Sequence, residues 1–242
     1  MTDERLLAVF AHPDDESFRC GGTLALLARR GVRVWVLCAT RGEAGVPGRS
    51  AERSRRSLAP EQAGQVRQAE LECACRALGI EPPRFLDYRD GTLAQVDEDQ
   101  AIEQVVRVVR ELCPQVLLTW PPDGVSGHPD HMAVSRWTGA AFQRTDGPDA
   151  LYHLVVPRSL AQALEMTHLH TVPDEAVTLA VEVSAVWGAK MAAIRCHHTQ
   201  MDGSPILRAS EERRRLFLGT EHFRLAVIRR DSLAGSSKDF FG

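Results

Sequence analysis

Through the first 145 positions, apolar residues fall in short unbroken runs separated by amphipathic stretches. Leu6-Leu7-Ala8-Val9-Phe10 is one such run. A continuous apolar segment of that length is typical of a parallel strand buried on both faces. Val32–Cys38, Arg84–Leu86 and Val116–Trp120 read as further strands. Between them the period changes to that of a helix. Gly21–Arg30 is closed by Gly31, and Gln62–Leu78 is stopped by Gly79. Asp99–Leu112 carries Ile102, Val105, Val106 and Val109 on one face. A last helix enters at Pro129 and runs through Phe142. Beyond position 145 the pattern thins. Leu151–Val156, Val177–Val183 and Phe223–Arg229 are expected strands, and Ala185–Cys196 an expected helix.

Alternation of strand and helix predicts an α/β fold: a Rossmann-like, doubly wound, mostly parallel sheet with helices on both faces. All 242 residues are expected to form one domain. Residues 145–230 would complete the sheet and the substrate pocket, and the Ser/Gly-rich stretch 232–242 would be a frayed tail. In a 3-2-1-4-5 strand order the first and fourth strands are neighbours. Ligands bind beyond the carboxyl ends of the strands at that switch point. The polar segment from Thr40 to Glu61, with Arg41, Arg49, Arg53, Arg55 and Arg56, is expected to be a loop, either ordered over an acidic substrate group or solvated and mobile.

Composition narrows the function. A net charge of −3 argues against a general nucleic-acid binder. Six cysteines without a C-x-x-C spacing argue against a thiolate zinc site, and are expected as reduced, mostly buried thiols. The N-terminal apolar run spans only Leu6–Phe10, too short for a signal peptide or a membrane span. A cytoplasmic protein is the expectation.

Two clusters carry the chemistry. Ala11-His12-Pro13-Asp14-Asp15-Glu16 follows the first strand, and His128-Pro129-Asp130-His131 follows the strand ending at Trp120. Together they supply three histidines, three aspartates and a glutamate. His12, Asp15 and His131 form a two-histidine, one-carboxylate set that suits a catalytic metal with an open position for water. Asp14, adjacent to a ligand, is the candidate general base. His128 is the candidate to stabilise an oxyanion or protonate a leaving amine, with Asp130 orienting it. Glu16 is expected to brace the loop. Two histidines and a carboxylate also describe non-haem iron oxygenases, although those usually use H-x-[DE] spacing on β-barrels. A binding protein without turnover is the third reading. The intact Asp14 and His128 count against it.

The paired motifs AHPDDE and HPDH closely resemble the signature of the LmbE-like, or PIG-L-like, zinc-dependent N-deacetylases. Thr40-Arg41-Gly42-Glu43-Ala44-Gly45 is similar to that family's T-x-G-E-x-G loop. Arg67, Glu70, Ala74 and Leu78-Gly79 fit its second helix, and Asp90-Gly91 its following turn. Lys190 through His197-His198-Thr199-Gln200 is similar to its late K…H-x-[ST]-Q segment. The resemblance spans roughly residues 5–200. It implies an LmbE-like fold, removal of an acyl group from an amino-sugar conjugate, and zinc (or iron or another divalent metal) on His12, Asp15 and His131. It also implies Asp14 as base and His128 as its electrostatic or acid partner. Arg67 and Asp90 match positions that hold substrate hydroxyls or a phosphate-like group, and His197 is placed near the pocket. The partner is a small molecule, and homo-oligomers are compatible with the family. One departure concerns the mycothiol branch: its tyrosine two residues before HPDH is Ser126 here.

Overall fold

The computed structural model describes residues 3–45, 59–201, 204–229 and 240–241. Seven strands form one sheet: β1 (Arg5–Phe10), β2 (Arg33–Thr40), β3 (Arg84–Tyr88), β4 (Val116–Thr119), β5 (Ala150–Leu154), β6 (Leu179–Glu182) and β7 (Thr220–Ile228). Their order is β3-β2-β1-β4-β5-β7-β6. The first five are mutually parallel, and β7 runs antiparallel to both β5 and β6. The helices are α1 (Asp15–Arg19), α2 (Gly21–Arg29), α3 (Pro60–Leu78), α4 (Glu98–Leu112), α5 (Pro129–Gln143), α6 (Arg158–Ala163), α7 (Trp187–Cys196), α8 (His198–Met201), α9 (Pro205–Arg208) and α10 (Glu211–Leu218).

β1 shows why its run is unbroken. Leu6, Ala8 and Phe10 pack with Leu24 of α2 and Leu71 of α3, while Leu7 and Val9 pack with Val105 of α4 and Trp137 of α5. Successive side chains point to opposite faces, and helices cover both. Leu6 pairs with Val34 on one side and Val116 on the other. The loops after β1 and β4 therefore leave the sheet side by side, as the expected strand order requires.

Local signals set the helix ends. Asp97 Oδ1 accepts from the backbone N–H of Gln100 at 3.0 Å and caps α4. Gly79, at φ 73°, closes α3 in the left-handed conformation. The late region was harder to read because β6 buries only one of its four residues and α6, α8 and α9 are at most six residues long.

Two expectations change. Cys73 of α3 and Cys196 of α7 form a disulfide, so the cysteines are not all free thiols. In the C-x-C pair, two residues turn a helix by about 200°. Cys75 therefore faces the core while Cys73 faces α7. The thiol argument for a reducing compartment loses its basis. Phe240, in the stretch expected to fray, is buried against Tyr152 and Phe223 with ring centroids 4.6 and 4.9 Å away. The arginines at 49, 53, 55 and 56 lie outside the described residues. Among the described residues, no helix is long and apolar enough to cross a membrane.

Candidate metal centre

The loop after β1 is folded by its own carboxylates. Asp15 Oδ2 accepts from the backbone N–H groups of Ala11 and His12 at 3.1 and 3.0 Å. Glu16 Oε2 accepts from the N–H of Asp14 at 3.0 Å. These bonds hold Asp14 at φ 107°, an uncommon backbone state for a residue with a side chain. The turn aims His12, Asp14 and Asp15 toward the mouth of the β4 loop.

His131, on the first turns of α5, completes the cluster. Its Nδ1 donates to the carbonyl of Gly124 at 3.2 Å, which leaves Nε2 3.4 Å from Asp15 Oδ1. The Trp120 ring stacks on His131 at 4.3 Å, and its Nε1–H donates to Asp15 Oδ2 at 3.3 Å. Gly124 sits at φ +64°, and a Cβ there would meet the His131 Cβ at 2.9 Å. Only glycine lets the loop pass this close.

His12 Nε2–H donates to Asp90 Oδ1 at 3.0 Å and to Asp130 Oδ2 at 3.3 Å. That leaves Nδ1 facing Asp15, 3.9 Å from Oδ2. One donor atom from each of His12, Asp15 and His131 lies within 4.8 Å of the others. Donors on a tetrahedral zinc stand about 3.3 Å apart, so small adjustments would close this set on an ion. His12, His128 and Asp130 also fall within that limit. There, however, Asp130 already accepts from the N–H groups of Gly91 and Leu93 and from His12. The first set is the open one.

Electrostatics favour positive charge here. Burial opposes the charged form of His12, but hydrogen bonds to Asp130 and Asp90 and the charge of Asp15 raise it to about 10. Burial also opposes the charged form of Asp15, yet His131 and His12 hold it below the usual carboxylate range. Asp14 is pushed up to about 7 by burial, against the pull of Arg67. His128 is held down, first by burial and then by His12 and His131. Its Nδ1 accepts from the N–H of Asp130 at 3.2 Å, so the neutral ring carries its proton on Nε2.

Several expected roles change. Asp130 does not orient His128 through its carboxylate; it holds His12. Asp90 supports the cluster itself, since Oδ1 takes His12 and Oδ2 accepts from the N–H of Ala44 at 3.0 Å. Arg67 is neither a surface arginine nor an open subsite. It is 5% exposed and donates to the carbonyls of Gly42 and Pro13 and to Asp14 Oδ2. Gly42 and Gly45 leave room for its guanidinium. His197 is fully buried and bonded to Glu16 Oε1 at 2.7 Å, so it braces the loop and is out of reach of substrate. Glu16 is the brace expected. Thr199 completes the late motif by donating to Glu70 at 2.7 Å.

Beside the cluster opens a cleft of about 270 Å³. Asp14, Asp15 and His131 form one side, and Phe18, Leu169 and Phe217 form an apolar wall. Ser126 lines it, so no phenol stands there. Trp120, Arg19 and Phe217 were not identified from the sequence. Trp120 alone left a signal, as the residue following a strand end just before the second cluster.

A family model described as "PIG-L: GlcNAc-PI de-N-acetylase" matches residues 7–142. The 1D-myo-inositol 2-acetamido-2-deoxy-alpha-D-glucopyranoside deacetylase of Acidothermus cellulolyticus is 38% identical, with 81% of this chain and 79% of that protein covered. The protein of the same name from Rhodococcus jostii is 34% identical, with 100% and 99% covered. In fold, the chain is similar to N,N'-diacetylchitobiose deacetylase from Pyrococcus horikoshii, with a TM-score of 0.67 at 19% identity. That match covers 92% of this chain and 83% of the other.

Proposed function

The chain belongs to the PIG-L, or GlcNAc-PI de-N-acetylase, family, and on that premise we propose that it is a zinc-dependent deacylase of an N-acylated amino-sugar conjugate. The observation that carries the reading is that one donor atom from each of His12, Asp15 and His131 lies within 4.8 Å of the others, at the edge of a cleft that Asp14 also lines.

His12, Asp15 and His131 would hold the ion. A divalent metal there would supply Lewis acidity and lower the pKa of a water beside the amide carbonyl. Asp14 takes a proton from the water that adds to the carbonyl carbon. Arg67, bonded to Asp14 Oδ2 at 3.3 Å, keeps that carboxylate facing the cleft. His128, neutral with its proton on Nε2, donates to the developing alkoxide. Asp14 then passes its proton to the nitrogen, the C–N bond breaks, and carboxylic acid and free amine leave. The imidazole–carboxylate donor set also accepts iron or manganese. The parallel α/β sheet and the family separate the chain from non-haem iron oxygenases, which usually sit on β-barrels.

Amine release from a panel of N-acetylglucosaminides tests the reading. Zinc-loaded protein is expected to release amine. Asp14→Asn is expected to release none while binding one equivalent of zinc. Amine release that persists in Asp14→Asn would refute the assignment of the base.

A further inference from the structure

Arg19, the last residue of α1, lines the same cleft as Asp14, Asp15 and His131. Its guanidinium lies 4.5 Å over the ring of Phe217. Other arginines have carboxylate partners, as in Arg41–Asp87, Arg84–Glu111 and Arg136–Glu98. Among the described residues, none accepts a hydrogen bond from Arg19 or pairs with it. Glu221 is the acid whose charge reaches it. That carboxylate is already committed to Lys190 Nζ at 2.7 Å and to the N–H groups of Gly22 and Thr23 at 2.9 and 2.6 Å.

A guanidinium has five donors in a planar fork. Leaving them without acceptors in a partly buried wall is costly, and the Phe217 face offsets only part of that cost. Burial pushes Arg19 down to about 10, so its surroundings resist the charge they contain. The neighbouring wall residues Phe18, Leu169 and Phe217 offer no acceptor of their own. An oxyanion is the ligand that satisfies such a fork, often through two parallel bonds.

We propose that Arg19 receives an oxyanion, carboxylate or phosphate, carried by the part of the substrate that projects from the metal centre along this cleft. The substrate class narrows to an N-acylated amino sugar with an anionic aglycone. The inference rests on the deacylase reading for what occupies the cleft.

The test uses three α-glycosides of N-acetylglucosamine: the 2-hydroxyethyl glycoside, the carboxymethyl glycoside and the 1-phosphate. Zinc-loaded wild type and Arg19→Gln are compared by amine release. Binding of the matching deacetylated glycosides is measured by calorimetry. Wild type is expected to favour at least one anionic glycoside over the hydroxyethyl glycoside by about 10- to 100-fold in KM and Kd. Preference for the carboxymethyl glycoside or for the 1-phosphate tells carboxylate from phosphate. Arg19→Gln is expected to erase the preference and leave the hydroxyethyl constants within about twofold. A purely structural role at Phe217 would shift all three glycosides alike. Equal treatment of charged and neutral glycosides by wild type, or a preference that survives Arg19→Gln, overturns the proposal. Failure to bind either anionic glycoside overturns it too. Charge preference in calorimetry without amine release from any glycoside sinks the deacylase reading and leaves the Arg19 assignment standing.

Discussion

His12 gives its Nε2–H to Asp90 at 3.0 Å, with Asp130 accepting at 3.3 Å. The ring is fixed by one residue from the turn after β3 and one from the first turn of α5, and its other nitrogen is turned to Asp15. Such outer carboxylates set the tautomer and raise the basicity of a metal-binding imidazole. The double variant Asp90→Asn/Asp130→Asn keeps the shape and removes the charge. Its zinc affinity is expected to fall about 10- to 100-fold, read by competition with a chelating dye. Unchanged affinity would show that these carboxylates do not support the ligand.

His153 on β5 makes the fold sensitive to mild acid. It is buried, its Nδ1 has no partner among the described residues, and burial followed by the charge of Arg224 lowers its pKa to about 4. An unfolded histidine titrates near 6.5. Above pH 6.5 both states are neutral and the group contributes nothing to the pH dependence. Below it the unfolded chain binds the proton first, so stability falls as pH drops from about 6.5 to about 4. The loss is expected to reach about 3 kcal/mol. Urea unfolding at a series of pH values reads it. His153→Gln should flatten that part of the profile, whatever its effect at pH 7.

The Cys73–Cys196 bridge closes a chain separation of 123 residues. Cys196→Ser is expected to lower unfolding free energy by about 2–4 kcal/mol, measured by urea denaturation. Reductant should shift wild type by a similar amount and leave the variant where it was. A wild-type midpoint indifferent to reductant would mean that the two thiols are not joined in solution.

The grouping of His12, Asp15 and His131 was legible because each belongs to a dense motif at the end of a buried strand, and the strand order brings β1 and β4 together. The roles of the supporting residues were not. Arg67, Asp90 and His197 stand out as motif residues, but sequence spacing carries no burial. In the structure their polar groups are turned to Asp14, to His12 and to Glu16. Arg19 and Phe217 are invisible for another reason. They are brought together across about 200 residues by short helices that have little periodicity of their own. The disulfide hid in the same way.

Asp15 Oδ2 is saturated by three N–H donors, those of Ala11, His12 and Trp120. Only Oδ1 is left to a cation, so under the proposed reading this aspartate would offer it a single oxygen. A chelating grip through both oxygens would have crowded the coordination sphere. With the other oxygen tied to its own loop and to Trp120, a bound ion would keep a place for the reactant.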